Sequence, residues 1–309
     1  ARQLVTLSRS TMSEWIGRMG FALQPLADRL TEMLRKRQVL HADETPVKQL
    51  DPGAGKTKRA YLWSYRSNDL DTGPPIVVFD YQSSRSGQHA RDFLQGWQGH
   101  LMVDDYAGYK KLFASDVHTV TELGCWAHAR RKFFDLQVNG VHPQAAEALR
   151  RIATLYAVEE SARAMDHASR ALHRQTNGLP ILAEMQDWLI HLRVATADGS
   201  GLARAIDYTL NRWASLVRYA HTGNLPIDNN PVENAIRPIA IGKKNWLFAG
   251  SERAGKRAAA IQSLFATAKL NGIDPAAWLK DTLEKLPVWS MKRIDELLPI
   301  KPTAQITSV

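Results

Sequence analysis

The chain has 309 residues, of which 44% are hydrophobic and 23% charged, as is typical of a globular protein of one large or two small domains. Its single cysteine excludes an intramolecular disulfide and a multi-cysteine zinc module, and no apolar stretch approaches the ~20 residues of a membrane span. The net charge of +9 favours a polyanionic partner, and the cysteine usage fits a reducing compartment.

Residues 1–37 have the apolar spacing of helices, and we interpret them as an N-terminal helical segment. Thr11 and Glu14 stand at capping-box spacing, which predicts a helix start at Thr11. A packing role is the simpler interpretation of this segment. The tail of a DNA-binding or dimerising region is the alternative.

Residues 38–140 change to short strand patterns, which predict the first part of an α/β core. The predicted order is βββαβαβ, with strands over 39–43, 61–65, 75–81, 100–104 and 117–123 and helices over 86–97 and 106–113. The short connections between the first three strands predict an antiparallel meander. Right-handed crossovers would then place the first strand at the centre of a mixed five-stranded sheet.

Residues 141–225 are rich in Ala, Leu and Arg at helical spacing, and they predict an all-helical insertion of about three helices. Turn residues at 177–180 and 198–201 mark the breaks. Residues 226–272 predict the second part of the core, and 273–309 a C-terminal helical segment. We expect the helical insertion to form a separate lobe.

The second part of the core opens with a helix start that carries an acid. Pro231 suits a first helical position, and any of Asp228, Asn229 and Asn230 could act as N-cap. Glu233 would then lie in the first turn of this helix.

Three acids have positions that suit a metal site. Asp43 and Asp104 each end a predicted strand, so adjacent strands would bring both carboxylates to one edge of the sheet. Together with Glu233 they would form an all-oxygen ligand set, which Mg²⁺ prefers. Two such ions about 3.5–4 Å apart can promote phosphodiester displacement. The alternative for each single acid is an ordinary helix cap or a surface charge.

Several long motifs carry a specific resemblance. The stretches 41–46, 104–109, 125–133, 228–238 and 242–251 closely resemble the insertion sequence 66 family of bacterial transposases, and the resemblance covers about residues 38–287. It implies an α/β, ribonuclease H-like fold interrupted by an all-helical insertion. It also implies a catalytic and metal-binding triad of Asp43, Asp104 and Glu233 with Mg²⁺ or Mn²⁺, as two ions.

The resemblance implies a DNA transposase. Such an enzyme hydrolyses a phosphodiester at the end of an insertion element and transfers the freed 3′-OH to target DNA. It implies double-stranded DNA as partner, a homo-oligomer on that DNA, no membrane association, and a bacterial cytoplasmic, nucleoid-associated location. The alternatives are a non-catalytic DNA-binding remnant of a transposase and another ribonuclease H-like nuclease such as a resolvase. The motif over 228–234 argues against the last.

The chain departs from the family pattern in two respects. Asp105 stands where the family usually has Gly, so Asp104 and Asp105 are both possible metal ligands. We choose Asp104 because Val103 continues the strand up to it. Family members also carry an N-terminal coiled coil and a cysteine-rich zinc module. We therefore expect this chain to be the catalytic and C-terminal part of a longer protein.

Basic and aromatic residues predict a DNA-binding surface. The candidates are Arg130, Arg131, Lys132, Arg237, Lys243, Lys244, Trp246, Arg253, Lys256 and Arg257. Those from Lys243 onward are expected on one positive face near Glu233. Residues 130–132 could instead form a solvated helix face. Trp246 and Phe248 could stack on splayed bases or belong to the core.

Cys125 and His128 match a Cys-x-x-His signature that such transposases carry. Two ligands at this spacing cannot complete a four-ligand zinc site. The favoured interpretation is a buried, packed pair at a helix start. The alternative is a role in active-site architecture or in handling a DNA strand.

Overall fold

The computed structural model describes residues 6–114, 119–138, 140 and 142–301. At its centre is a five-stranded sheet in the order β3-β2-β1-β4-β5. The strands are β1 (Val39–Asp51), β2 (Lys56–Ser67), β3 (Val77–Gln82), β4 (Gly99–Val103) and β5 (Val120–Gly124). β2 runs antiparallel to both β1 and β3, whereas β1, β4 and β5 are parallel. The predicted mixed sheet with a central first strand is confirmed.

The pairing of β1 with β4 sets the position of the two candidate aspartates. His41 lies opposite Met102 in this parallel pair. Asp43 and Asp104 each follow two residues later, so they lie at matching positions at the point where β4 ends and β1 continues. The predicted adjacency of the two acid-bearing strands is confirmed.

β1 does not end at Asp43, so the predicted strand over 39–43 is too short. The strand continues to Asp51 and forms a long hairpin with β2. Pro46 is tolerated because β4 ends at Val103 and leaves that side of β1 open, so no sheet hydrogen bond requires the missing N–H. The open side instead meets a later segment, where the Leu50 N–H donates to Ala249 O at 2.8 Å.

The helices of the described residues are α1 (Arg9–Ala22), α2 (Gln24–Leu34), α3 (Gly87–Phe93), α4 (Lys110–Phe113), α5 (Trp126–Val138), α6 (Pro143–Ser161), α7 (His167–His173), α8 (Leu179–Val194), α9 (Gly201–Asn211), α10 (Trp213–Val217), α11 (Asn230–Trp246), α12 (Glu252–Leu270) and α13 (Pro275–Lys285). The first helix is capped by Ser8 rather than starting at Thr11, because the Ser8 hydroxyl accepts the Thr11 N–H. Across the ranges described, none of these helices combines the length and apolar character that crossing a membrane requires.

The insertion contains five α-helices, α6–α10, rather than three, and residues 142–225 hold no strand. The predicted break at 177–180 is instead a π-helical turn, Arg174–Gly178, which joins α7 directly to α8. The break at 198–201 is present, and Ser200 caps α9 there.

These helices do not form a separate lobe. Their buried side chains share one core with three sheet residues, Val39, Met102 and Leu123. The insertion therefore covers one face of the sheet next to the ends of β4 and β5. Its position ties the helix that follows it, α11, to the sheet.

The remaining helices close the other surfaces of the sheet. The apolar side of α2 packs with Trp63 and Tyr65 in a second core. α12 lies along the open edge of β3, where the Phe79 N–H donates to Ser263 Oγ at 2.8 Å and the Val77 N–H donates to Thr267 Oγ1 at 3.1 Å. Covering this edge satisfies backbone groups that would otherwise invite pairing with another chain.

Candidate functional site

The two strand-borne aspartates lie at the edge where β1 and β4 diverge. An Asp43 carboxylate oxygen accepts the Glu44 N–H at 2.8 Å, and an Asp104 oxygen accepts the Tyr106 N–H at 2.9 Å. Both side chains are partly exposed. Each therefore has a fixed backbone, one satisfied oxygen and further lone pairs for a ligand.

Burial and neighbouring acids raise the pKa of Asp43 to about 8. Burial is the largest cause, Glu44 adds repulsion, and Asp104 and Glu233 add more. The three predicted ligands thus lie close enough to disfavour one another's charge. A divalent cation would relieve this repulsion.

Asp105 is occupied by an ion pair. Arg212, between α9 and α10, donates to an Asp105 oxygen at 2.7 Å and also contacts Glu122 at 2.6 Å. This pairing neutralises Asp105 and turns it toward the insertion. It supports Asp104 as the carboxylate that is available to a metal.

Glu44 is a site residue that the sequence analysis missed. It is buried, its carboxylate accepts from Arg85 Nε at 2.7 Å, and it also accepts from the Tyr109 hydroxyl at 2.9 Å. The signal was its place next to Asp43, because side chains alternate along a strand and this one had to face the interior. Glu44 thus joins β1 to Arg85 and to Tyr109 next to the aspartate pair.

The start of α11 is held against the sheet by Asn229. The Asn229 amide donates to Ala42 O at 2.9 Å, so its oxygen accepts from His41 Nδ1 at 3.0 Å. Burial lowers the pKa of His41 to about 4, which keeps the imidazole neutral. The Asn229 N–H also donates to Cys125 Sγ at 3.2 Å, which joins the starts of α5 and α11.

Asp228 ties the same helix start to the insertion. One of its oxygens accepts the Asn230 N–H at 3.0 Å, and the other accepts the Tyr156 hydroxyl of α6 at 2.8 Å. Of the three candidate caps, Asn229 occupies the N-cap position without a side-chain capping bond. Its side chain is committed to β1 instead.

Glu233 lies in the first turn of α11, as predicted, and faces Cys125 and His128. Its Oε1 is 3.7 Å from His128 Nδ1, and both atoms are buried without a hydrogen-bond partner. Ligand atoms of Cys125, His128 and Glu233 all lie within 4.8 Å of one another. Within the described part of the chain, Asp43, Asp104 and Glu233 do not form a group of that compactness.

Cys125 is fully buried directly before α5, as the favoured interpretation of the pair required. Burial raises the pKa of its thiol to about 12. His128, one turn on, is only partly buried. Sequence reasoning did not connect this pair with Glu233. The usable signal was that β5 ends at the same sheet edge as β4, next to Asp104.

The first predicted DNA-binding residues, Arg130, Arg131 and Lys132, are all exposed on α5. The Arg130 guanidinium lies 5.5 Å from the Phe134 ring, and Lys132 Nζ lies 5.0 Å from the Tyr208 ring. Both cations remain accessible to solvent. The geometry is compatible with phosphate contacts and equally with a solvated helix face.

Lys243 belongs to a basic groove beside the long β1–β2 hairpin. Its ammonium donates to Thr45 Oγ1 at 3.0 Å and to Pro46 O at 2.7 Å. The groove has a volume of about 680 Å³ and is also lined by Lys58 and Arg59. Sequence analysis missed these two cations because it ended β1 at Asp43.

The structure divides the other predicted DNA-binding residues among different surfaces. Arg253 and Arg257 line a cleft against α1, and Lys256 pairs with Glu252 at 2.8 Å. Arg237 is exposed on α11, whereas the side chain of Lys244 lies outside the described part of the chain.

The corner after α11 exposes two aromatic rings. Trp246 is 43% exposed and Phe248 42% exposed, so neither is a core residue. Phe248 lines the basic groove beside Lys243. An exposed ring next to cations is a suitable platform for stacking against a base.

Comparison with known proteins places this sequence in a family. The sequence matches the family described as "Transposase IS66 family" over residues 1–257 and "IS66 C-terminal element" over residues 263–300. It is 39% identical to uncharacterized protein y4qI of Sinorhizobium fredii (strain NBRC 101917 / NGR234), with 98% of this chain and 58% of that protein aligned. Uncharacterized protein y4jD of the same strain is 34% identical, with 96% and 60% aligned. The chain spans about three fifths of the length of these relatives, and it belongs to the IS66 family of transposases.

Proposed function

We propose that this chain is the catalytic core of a metal-dependent DNA transposase of ribonuclease H-like fold. The observation that carries the proposal is the β1–β4 register, which places Asp43 and Asp104 at matching positions on adjacent parallel strands. The strand order of the sheet supports the fold assignment. The attachment of α11 to β1 through Asn229 supports Glu233 as the third member.

The donor set fits Mg²⁺ or Mn²⁺. Three carboxylates offer only hard oxygen ligands. Burial and acidic neighbours raise the pKa of Asp43, and Glu233 Oε1 is buried without a partner. Asp43, Asp104 and Glu233 would hold the ions, and two are proposed. When bound, the ions supply activation of the attacking oxygen and neutralisation of charge on the scissile phosphate.

The chain's own residues would bind and orient the DNA. Lys58, Arg59 and Lys243 line a groove suited to a phosphate backbone, and Phe248 offers a ring for stacking. Double-stranded DNA of element ends and target is the proposed partner. Assembly as a homo-oligomer on that DNA is part of the same proposal.

A second candidate is a DNA-binding remnant without catalysis. The observation that favours it is the placement of Glu233 against Cys125 and His128, with no compact group formed with the two aspartates. Such a protein would keep its basic surfaces and bind DNA without cutting it.

Strand cleavage on duplex DNA carrying the element's own ends separates the two candidates. We expect Mg²⁺-dependent cleavage by the wild type, lowered roughly 10³-fold by Asp43→Asn, Asp104→Asn or Glu233→Gln, since losing several kcal/mol of metal-assisted stabilisation has that effect. Asp281→Asn, on the exposed face of α13, is the matched control and should cleave normally. DNA binding without Mg²⁺-dependent cleavage would favour the remnant.

A further inference from the structure

A second group of potential metal ligands lies beside the proposed catalytic site and shares Glu233 with it. We propose that Cys125, His128 and Glu233 form a binding site for Zn²⁺, and that zinc there inhibits the transposase by withholding Glu233 from Mg²⁺. The binding site stands on its own geometry. The inhibition rests on the proposed function.

The separation of the ligand atoms suits zinc. Zn–N and Zn–O bonds of about 2.0–2.2 Å place two ligand atoms of a tetrahedral site about 3.4 Å apart. His128 Nδ1 and Glu233 Oε1 are 3.7 Å apart, and Cys125 Sγ completes a triangle within 4.8 Å. Three protein ligands leave a fourth position open to water.

The two ligand atoms of His128 and Glu233 have unmet bonding capacity. Both are buried, and neither has a hydrogen-bond partner. An unsatisfied buried polar atom is destabilising, so a cation that binds both atoms would remove a cost that the metal-free fold retains. The side chains are 24% and 26% exposed, which gives an ion a route from solvent.

Although burial raises the pKa of the Cys125 thiol, the contacts of its sulfur suit a metal-bound thiolate. Its sulfur accepts the backbone N–H of Asn229 at 3.2 Å and that of His128. N–H donors of this kind orient a ligand sulfur and stabilise its negative charge. The residue also precedes the N-terminus of α5, where the helix dipole favours an anion. As the zinc–sulfur bond forms, the thiol proton passes to solvent.

Ligand chemistry separates the two sites and makes them compete. The aspartate pair offers only oxygen and suits Mg²⁺, whereas thiolate and imidazole select zinc. Glu233 is common to both sets, and one carboxylate held by zinc cannot also complete the site with Asp43 and Asp104.

Cobalt spectroscopy on the intact chain tests the site without reference to activity. Cys125 is the only cysteine in the sequence, so any thiolate-to-Co²⁺ charge-transfer band must come from it. We expect a band at one Co²⁺ per chain that Zn²⁺ abolishes by displacement. His128→Gln and Glu233→Gln should each weaken Co²⁺ binding at least about tenfold. Asp43→Asn, outside the set, should not.

The obvious variant, Cys125→Ser, changes a fully buried residue and could fail to fold. The His128→Gln and Glu233→Gln variants keep the test valid in that case, since both side chains are partly exposed. Thermal unfolding of each variant without metal checks its fold. No charge-transfer band in the wild type would overturn the proposal, as would a band that His128→Gln and Glu233→Gln leave unchanged.

Zinc titration of the Mg²⁺-dependent cleavage tests the inhibition. We expect the zinc concentration for half-inhibition to rise at least about tenfold in His128→Gln. Equal inhibition of wild type and variant would overturn the regulatory claim. A cobalt band in a protein that never cleaves DNA would leave the zinc site standing and refute the proposed function instead.

Discussion

The two aspartates and the glutamate of the proposed triad reach the site by different physical means. Asp43 and Asp104 follow paired positions of β1 and β4, so the sheet's backbone hydrogen bonds fix where they lie. Glu233 lies on α11, which enters after the long insertion and is held by packing of its apolar face against β1–β3 and by side-chain bonds of Asp228 and Asn229. The backbone fixes the two aspartates in one position. Glu233 contacts His128 in this structure and is proposed to join the aspartates when metal binds.

This difference assigns a role to the polar residues before Glu233. In the described structure, the side chains of Asn229 and Asp228 make no hydrogen bond to a candidate metal ligand. The two residues nevertheless connect α11 to β1, α5 and α6. The proposed third ligand therefore depends on helix packing and single hydrogen bonds rather than on a ladder. The hydrogen bonds can be removed one at a time while the apolar packing stays in place.

The largest expected effect is on metal affinity and should separate the two classes of ligand. Asp43→Asn or Asp104→Asn should weaken Mn²⁺ binding at least about 100-fold, because each removes a fixed ligand. Glu233→Gln should weaken it only about tenfold, because this carboxylate must leave His128 to take part. Isothermal titration measures all three, and equal losses would show that the distinction is wrong.

The next effect is a pH dependence set by Asp43. Its pKa is raised from 3.8 to about 8 in the folded protein, so the fold binds this proton more tightly than the unfolded chain does. Metal-free stability of the wild type should therefore fall relative to that of Asp43→Asn as pH rises from about 4 to about 8. Mg²⁺ must displace the same proton, so its affinity should drop roughly 50-fold between pH 8 and pH 6.

Titrations of Mg²⁺ affinity and thermal unfolding across this pH range check both trends. Asp43→Asn is the reference, since it lacks this titrating group and keeps the others, including the buried His41. A wild-type stability that does not fall relative to that of Asp43→Asn between pH 5 and pH 8 would contradict the assignment.

A smaller effect should follow from loosening α11 while the strand acids stay in place. Asn229→Ala removes two buried side-chain bonds, to His41 and Ala42, and should cost about 2–4 kcal/mol of unfolding free energy. Cleavage should fall about tenfold, with DNA affinity unchanged. Asn234→Ala, exposed one turn further along α11, is the control. Full activity of a destabilised Asn229→Ala would show that α11 needs no such attachment.

The smallest effect concerns the hairpin groove. Lys58→Ala and Arg59→Ala should each lower the salt slope of DNA binding by about 0.9 if each contacts one phosphate. Lys280→Ala, an exposed cation on α13, should leave the slope unchanged. Fluorescence anisotropy over a range of salt concentrations measures these slopes. Unchanged salt slopes for both groove variants would show that DNA binds at another surface.

The sequence was sufficient for the order of the sheet because each strand carries its own apolar pattern and the crossover rule restricts the rest. It was insufficient for the length of β1, because Pro46 indicates a strand end unless the neighbouring strand stops first. It also could not show that Arg174–Gly178 continues the helix. A π-turn of that kind is held by long-range bonds, such as the one from Arg174 to Tyr219 O.

The candidate site also has a part that the sequence could predict and a part that it could not. The adjacent positions of Asp43 and Asp104 could be predicted because an apolar strand pattern leads up to each of them, whereas their role as metal ligands stays a prediction. The meeting of Cys125, His128 and Glu233 could not, since it depends on how five intervening helices pack. The pairing of Asp105 with Arg212 depends on the same packing.

Anomalous diffraction from crystals grown with Mn²⁺ and DNA would locate the metal ions of the proposed site. We expect manganese peaks bounded by carboxylate oxygens of Asp43, Asp104 and Glu233, with the Glu233 side chain turned away from His128. Manganese bound elsewhere, with Glu233 still against His128 and Asp43 without a metal, would contradict the proposal.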